Sequence, residues 1–113
     1  MPDTLPLLKG TLDTLILKTL SWGPMHGFEI VDWLERRSGG VLGVEDSALY
    51  QALHRMDARG LIAAEWGVTG NSRRARYYSL TSAGRQRLRA ESSIWRRYSA
   101  AVSDVLGATS RAG

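Results

Sequence analysis

The sequence predicts a mainly α-helical chain with one small β-hairpin, an α+β fold. An amphipathic segment begins near Asp46, two strand-like segments with basic residues near their connection follow directly, and a long helical segment occupies 82–106. A short helix followed at once by a basic hairpin is the plan of a winged helix-turn-helix, whose helix enters a DNA major groove while the hairpin contacts flanking backbone. We therefore expect a winged helix-turn-helix at 1–80, and a long C-terminal dimerisation helix with a tail at 81–113.

Composition narrows the classes of function. A chain of 113 residues suggests one domain, and the lack of cysteine excludes disulfides and thiolate metal sites. His26 and His54 lie far apart without the carboxylate spacing of a metal site, so we expect neither metal nor cofactor. No apolar run is long enough for a membrane helix, and no secretory-signal pattern opens the chain. The expected location is therefore the cytoplasm, with no membrane partner.

Positive charge is concentrated in one part of the chain. Residues 71–100 contain eight arginines and one acid, Glu91, whereas residues 1–70 contain six basic and nine acidic residues. Such a block predicts a phosphate-binding surface, although an ordinary solvated helix face is the alternative. Its basic residues are all arginine, whose forked guanidinium binds phosphate better than an ammonium group does.

Apolar periodicity predicts the first helix. After a short arm with Pro2 and Pro6, residues spaced three and four apart fall on one helix face from Gly10 onward. These residues are Leu12, Leu15, Ile16, Thr19 and Leu20. Gly23-Pro24 ends this helix, because proline cannot continue a helix and disfavours it in the preceding residue.

The second helix is predicted from about His26 to about Arg37. Its buried stripe consists of Ile30, Val31 and Leu34. Ser38-Gly39-Gly40 closes it, since glycine takes the left-handed conformation common after helix ends. We assign His26 to structure, as a hydrogen-bonding residue in the turn between the helices. A short extended link follows at 41–44.

The third helix is predicted to begin at Asp46-Ser47, two residue types suited to cap it, and to end near Gly60. Its inward stripe consists of Leu49, Ala52, Leu53 and Met56. The opposite face has hydrogen-bonding groups without a carboxylate: Ser47, Gln51, His54, Arg55 and, at the edge, Tyr50. This face suits base edges and phosphates, and an ordinary solvent-exposed helix face is the alternative. Gln51 is the best candidate for a specific base contact, because its amide matches an adenine edge.

A hairpin follows, with strands at 61–68 and 74–80 and Gly70-Asn71 in the turn. Arg73, Arg74 and Arg76 lie in or near its tip. We expect all three to contact phosphates or to reach into a minor groove.

The last helix is predicted from Ser82, capped by Thr81, to about Leu106, a rod of roughly 35 Å. Apolar residues and one acid recur at spacings of three and four along one stripe: Leu88, Glu91, Trp95, Tyr98, Val102 and Val105. We expect this stripe to form a homodimer interface, with help from Leu12 and Ile16 of the first helix. Packing of the stripe on the chain's own first helix is the alternative, and the two uses are compatible.

Four stretches of sequence resemble the PadR family of transcriptional regulators. They read LKGTL at 8–12, GPMHGFEI at 23–30, ALY at 48–50 with GLI at 60–62, and RYYSLTSAGR at 76–85. The resemblance implies a homodimeric repressor that binds double-stranded DNA, among the short members of the family. Three positions depart from the family pattern: Phe28 replaces a usual tyrosine, Ala48 a serine or threonine, and Gln51 a common proline. The operator sequence is therefore not transferable from relatives.

The resemblance also implies a possible small-molecule effector, since some members bind apolar or aromatic ligands in a dimer cavity. Trp95 and Tyr98 are the candidates to line such a cavity; plain interface packing is the alternative reading of both residues.

Two other classes of function are weighed against this one. An enzyme is disfavoured because the chain has no nucleophile elbow, glycine-rich phosphate loop or HExxH pattern. A winged helix that binds protein or RNA is harder to exclude, because fold does not fix function. The carboxylate-free helix face beside three arginines favours duplex DNA. Exposed aromatic residues in a basic groove would instead indicate single-stranded nucleic acid.

Overall fold

Four helices and three short strands form the part of the chain described by the computed structural model, residues 4–5, 7–8 and 10–112. They are α1 (Thr11–Leu20), β1 (Met25–His26), α2 (Gly27–Arg37), α3 (Asp46–Ala58), β2 (Ile62–Val68), β3 (Arg74–Leu80) and α4 (Ser82–Leu106). This order confirms the predicted winged helix-turn-helix with a long last helix. Pro2 and Pro6 of the predicted arm, and Lys9 of the first family motif, lie outside the described residues.

The core lies between the first three helices and the base of the sheet. The predicted inward stripes of α1, α2 and α3 supply most of it: Ile16, Leu20, Ile30, Leu34, Leu49, Ala52, Leu53 and Met56 are all buried. The prediction of Ile16 as a subunit-interface residue is wrong, because its side chain is fully buried in this core and has no surface left for a second chain.

The sheet has three strands in the order β1-β3-β2, so the predicted two-stranded hairpin was incomplete. β1 pairs antiparallel with β3, with Met25 opposite Tyr78 and His26 opposite Tyr77. A strand of two residues is too short for an alternation pattern to indicate it. Its pairing fixes the start of α2 beside the wing, which is formed by β2, β3 and their connecting loop.

His26 caps α2, which confirms its structural assignment. The ring Nδ1 of His26 accepts a hydrogen bond from the backbone N–H of Glu29 at 3.3 Å. The backbone N–H of His26 donates to Glu29 Oε1 at 3.1 Å. This reciprocal capping box satisfies two backbone donors at the helix start.

The ends of α3 differ in how well they were predicted. The expected side-chain cap at Asp46-Ser47 was wrong: Glu45 occupies the capping position, and its side chain makes no capping hydrogen bond. At the other end Gly60 adopts a φ of 73°, and the Leu61 N–H donates to the Met56 carbonyl at 3.0 Å. This is the left-handed glycine stop that was expected.

The start of α4 is packed tightly onto the turn that ends α3. The Thr81 hydroxyl donates to the Gly60 carbonyl at 2.6 Å and accepts from the Gly84 N–H at 3.1 Å, which confirms Thr81 as the cap. A Cβ added to Gly84 would lie 2.0 Å from the Leu61 carbonyl oxygen. Only glycine therefore fits at this contact.

The 25-residue helix α4 is about 37 Å long. It packs against α1, where Leu88 is half-buried against the core. Its later turns extend beyond that contact, and its described side chains from Ala100 to Leu106 are exposed. No helix among the described residues is long and apolar enough to cross a membrane.

We predict that Gly84→Ala lowers the free energy of unfolding by a net of about 1–2 kcal/mol, because a clash with backbone belongs at the upper end of the overpacking cost, roughly 2–3 kcal/mol. The clash with a backbone oxygen outweighs the helix propensity of alanine, which favours the variant by about 1 kcal/mol. Urea unfolding at fixed chain concentration measures this effect. Gly70→Ala is the matched control, because a Cβ at Gly70 meets nothing within 4 Å. Equal stabilities of the two variants would contradict the prediction.

Candidate nucleic-acid interface

The outer face of α3 presents polar groups to solvent. Ser47, Gln51 and His54 are exposed, whereas Leu49 and Leu53 are only 1% exposed and anchor the opposite side of the helix. The buried stripe therefore leaves the three polar side chains free to meet a partner.

Arg55, predicted to belong to the same surface, is held by α1. Its Nη2 donates to Asp13 Oδ1 at 2.7 Å, and both side chains are partly exposed. This pair connects α3 to α1 and offsets the charge of Arg55. Arg55 is therefore already engaged in an ion pair before any partner binds.

The loop between β2 and β3 holds a defined shape. The Thr69 N–H donates to the Arg73 carbonyl at 2.8 Å, and the Arg73 N–H donates to the Thr69 hydroxyl at 3.1 Å. Gly70 and Asn71 lie in the turn as predicted, but the left-handed residue is Ser72, with a φ of 63°. The closed loop places Arg73 directly before β3 and Arg74 at its first position, and both are exposed.

A groove of about 970 Å³ separates the wing from the start of α2, and we call it the wing groove. Its lining combines arginines, aromatic rings and backbone: His26, Gly27, Phe28, Glu29, Tyr50, Trp66, Thr69, Gly70, Asn71, Arg73, Arg74, Ala75, Arg76 and Tyr78. The three predicted wing arginines and Tyr50 thus share one concave surface, beside the exposed face of α3.

Tyr50 lies against the start of α2. A Cβ added to Gly27 would lie 2.5 Å from the Tyr50 hydroxyl oxygen, so a larger residue there would displace the end of the Tyr50 ring. Tyr78 forms the buried base of the groove. Burial raises the pKa of the Tyr78 hydroxyl, while the positive charge of Arg76 lowers it.

Trp66, which the sequence reasoning did not single out, stacks with two of the wing arginines. The guanidinium carbon of Arg74 lies 4.7 Å from the ring centroid, and that of Arg76 lies 5.7 Å from it. Arg76 also reaches Asp57 of α3, with Nη2 4.0 Å from Oδ2. The pairing of two predicted strands carried a usable signal, because it places Trp66 directly opposite Arg76.

Phe28, noted in the sequence only as a departure from the family pattern, also lines the groove, and its side chain is 76% exposed. With Tyr50 and Trp66 it gives the basic groove three exposed aromatic residues. Exposed aromatic residues in a basic groove are an indicator of single-stranded nucleic-acid binding. One of the three rings, Trp66, is already stacked by arginine.

The predicted dimer stripe of α4 is exposed in the single chain. Trp95, Tyr98, Val102 and Val105 are between 39% and 74% exposed. Ile94 and Leu106, which the heptad spacing did not include, add to this apolar surface at 55% and 80%. Leu12 and Leu88, in contrast, are half-buried against the chain's own core.

Trp95 and Tyr98 form an aromatic pair, with ring centroids 6.4 Å apart. Trp95 also borders an apolar groove of about 510 Å³ between the N-terminal segment, α1 and α4. Its other lining residues are Leu5, Leu7, Leu8, Thr11, Leu15 and Leu42. This geometry fits subunit packing and ligand binding alike. Within the described residues no group of three or more metal-ligating side chains occurs.

Known proteins resemble this chain in sequence and in structure. The sequence profile described as "Transcriptional regulator PadR-like family" matches residues 16–90. A PadR-family transcriptional regulator from Eggerthella lenta is 30% identical, with 87% of this chain and 83% of that chain covered at a TM-score of 0.73. A PadR-like regulator from Bacillus cereus is 26% identical, with coverages of 89% and 96% and a TM-score of 0.77. Bacillus subtilis PadR, solved in complex with operator DNA, is 25% identical, with coverages of 71% and 45% and a TM-score of 0.64.

Proposed function

Because this chain belongs to the PadR-like family of transcriptional regulators, we propose that it is a homodimeric repressor that binds an inverted-repeat operator in duplex DNA. The family consists of DNA-binding regulators rather than enzymes. The observation that carries the proposal is the exposed, carboxylate-free face of α3 beside the arginines of the wing groove. The complex of the Bacillus subtilis relative with operator DNA supports the same assignment.

In this proposal α3 reads base edges in the major groove. Gln51 makes the specific contact, because its amide both accepts from and donates to an adenine edge. Ser47 and His54 lie on the same exposed face and extend the contact. Tyr50 lies at the margin of the face and inside the wing groove, and its hydroxyl donates a hydrogen bond to a phosphate.

The wing supplies contacts to the DNA backbone. Arg73, Arg74 and Arg76 are exposed along one side of the wing groove, where a phosphate strand beside the major groove would pass. Such contacts position the protein and carry most of the salt dependence of binding, but they do not read sequence.

Dimerisation through α4 would bring two copies of α3 to successive major grooves. The half-sites of the operator would then lie about 34–36 Å apart. Each large apolar side chain of the α4 stripe that becomes buried contributes roughly 1.5–3 kcal/mol. Two-fold symmetry doubles the number of such contacts. The exposure of Tyr98 at 61% and Val105 at 74% in the single chain supports this use of the stripe.

A second candidate function is the binding of single-stranded nucleic acid. The exposed rings of Phe28, Tyr50 and Trp66 in a basic groove favour it, because bases stack on aromatic side chains. We rank this function second because the polar face of α3 lies outside the wing groove and would have no role in binding a single strand there.

We predict that Gln51→Ala weakens operator binding by about 1–3 kcal/mol and leaves non-specific duplex affinity nearly unchanged. Binding-site selection from a random library, run side by side with the wild type, measures the change in preferred sequence. Gln86→Ala is the matched control, since Gln86 is exposed on α4. If wild type and Gln51→Ala select the same sequence with the same stringency, Gln51 does not read bases.

We predict that Arg73→Ala, Arg74→Ala and Arg76→Ala each weaken binding to all duplex sequences. Each change should make the slope of log affinity against log salt shallower by about one unit, since one phosphate contact is lost. A salt titration on operator and unrelated duplexes measures this slope. Arg97→Ala, which removes the same charge from an exposed site on α4, should leave the slope unchanged. Loss of operator affinity alone would show that these arginines do not act on phosphates.

We predict that the wild type sediments as a dimer at micromolar concentration and that Tyr98→Glu shifts it to monomer. A charge buried in the apolar interface is not solvated, which opposes association. Ala100→Glu adds the same charge at an exposed position two residues away, off the stripe, and should remain dimeric. A monomeric wild type would contradict the proposed dimer.

A further inference from the structure

Trp66 is a large, exposed ring whose position the proposed function leaves unexplained. It is 58% exposed on β2 and lines the wing groove. Two arginines lie over its ring: the guanidinium groups of Arg74 and Arg76 are 4.7 Å and 5.7 Å from the ring centroid. Both distances fall within the range of about 6 Å over which a cation is attracted to an aromatic face.

The register of the hairpin makes this arrangement a consequence of the strands. Trp66 is paired with Arg76, and Val68 is paired with Arg74. Side chains alternate along a strand, so Trp66, Arg74 and Arg76 share one face of the wing. Directly opposed and diagonal side chains on one face lie within reach of a long residue. The ring therefore meets both arginines without any special loop geometry.

Arg76 has a second tether, which restricts it further. Its Nη2 lies 4.0 Å from Asp57 Oδ2 on α3, so its guanidinium has a carboxylate as well as the ring for a neighbour. The carboxylate and the ring together hold a cationic group at the edge of the wing groove nearest α3.

We propose that Trp66 is a positioning residue of the DNA interface, which holds Arg74 and Arg76 in the wing groove before DNA arrives. The inference rests on the proposed function, because it assigns those arginines to phosphates. An exposed arginine loses side-chain freedom when it binds. Stacking on Trp66 restricts the two side chains beforehand, so less freedom is lost when the complex forms.

The test uses two substitutions, Trp66→Leu and Trp66→Phe. Each is made in the wild-type chain and in a chain that also carries Arg74→Ala and Arg76→Ala. Affinity for one fluorescent duplex is measured by anisotropy, and the thermal unfolding midpoint of each variant is recorded. Trp66→Leu should weaken binding on the order of fivefold, the effect of losing exposed cation–π contacts. Trp66→Phe, which keeps a π face, should recover part of that loss. In the background without the two arginines, Trp66→Leu should have no further effect.

Trp22→Leu is the matched control. Trp22 is 63% exposed and also carries a cation, with Lys18 Nζ 4.7 Å from its ring, but it does not line the wing groove. Its substitution should leave affinity unchanged.

Three results would overturn the inference. Wild-type affinity in Trp66→Leu would show that the ring has no role. An equal loss with and without the two arginines would show that the ring touches DNA itself. A wild type that binds no duplex DNA would overturn the proposed function, and this inference with it. If Trp66→Leu does not fold, Trp66→Phe is used in its place. Its smaller loss of duplex affinity must then disappear in the chain that lacks Arg74 and Arg76.

Discussion

The relative placement of α3 and the wing depends on one close backbone contact, between Gly84 and the carbonyl of Leu61. Leu61 ends the turn after α3 and leads into β2, while Gly84 lies in the first turn of α4, directly after β3. A side chain at Gly84 would collide with that carbonyl. Thr81 reinforces the contact through its hydrogen bonds to Gly60 and Gly84. These contacts therefore join the end of α3 closely to the base of the wing, where β2 begins and β3 ends.

Charge pairs inside the chain then set the direction of individual arginines. Asp13 holds Arg55, and Asp57 lies near Arg76. Partly exposed pairs of this kind contribute only about 0–1 kcal/mol to stability. Such weak pairs are easily exchanged for a phosphate.

Sequence patterns predicted the helices and the wing because each element carries its own signal, such as the inward stripe of α3 or the glycine stop at Gly60. They did not reveal β1, whose two residues are defined only by pairing with β3. They misplaced Ile16, because periodicity shows that a face is apolar but not which partner covers it. They did not assign Phe28 to a site, because the groove that it lines is formed by residues distant in sequence, whereas the strand pairing of Trp66 with Arg76 was a signal left unused.

We propose that the α3 face and the wing groove bind duplex DNA together. The most direct test compares the affinity of the wild type for a duplex fragment from upstream of its own gene with its affinity for each separated strand. The duplex should bind more tightly than either strand, because α3 requires a major groove. Tighter binding of a separated strand would contradict it and would assign the aromatic residues of the wing groove to base stacking.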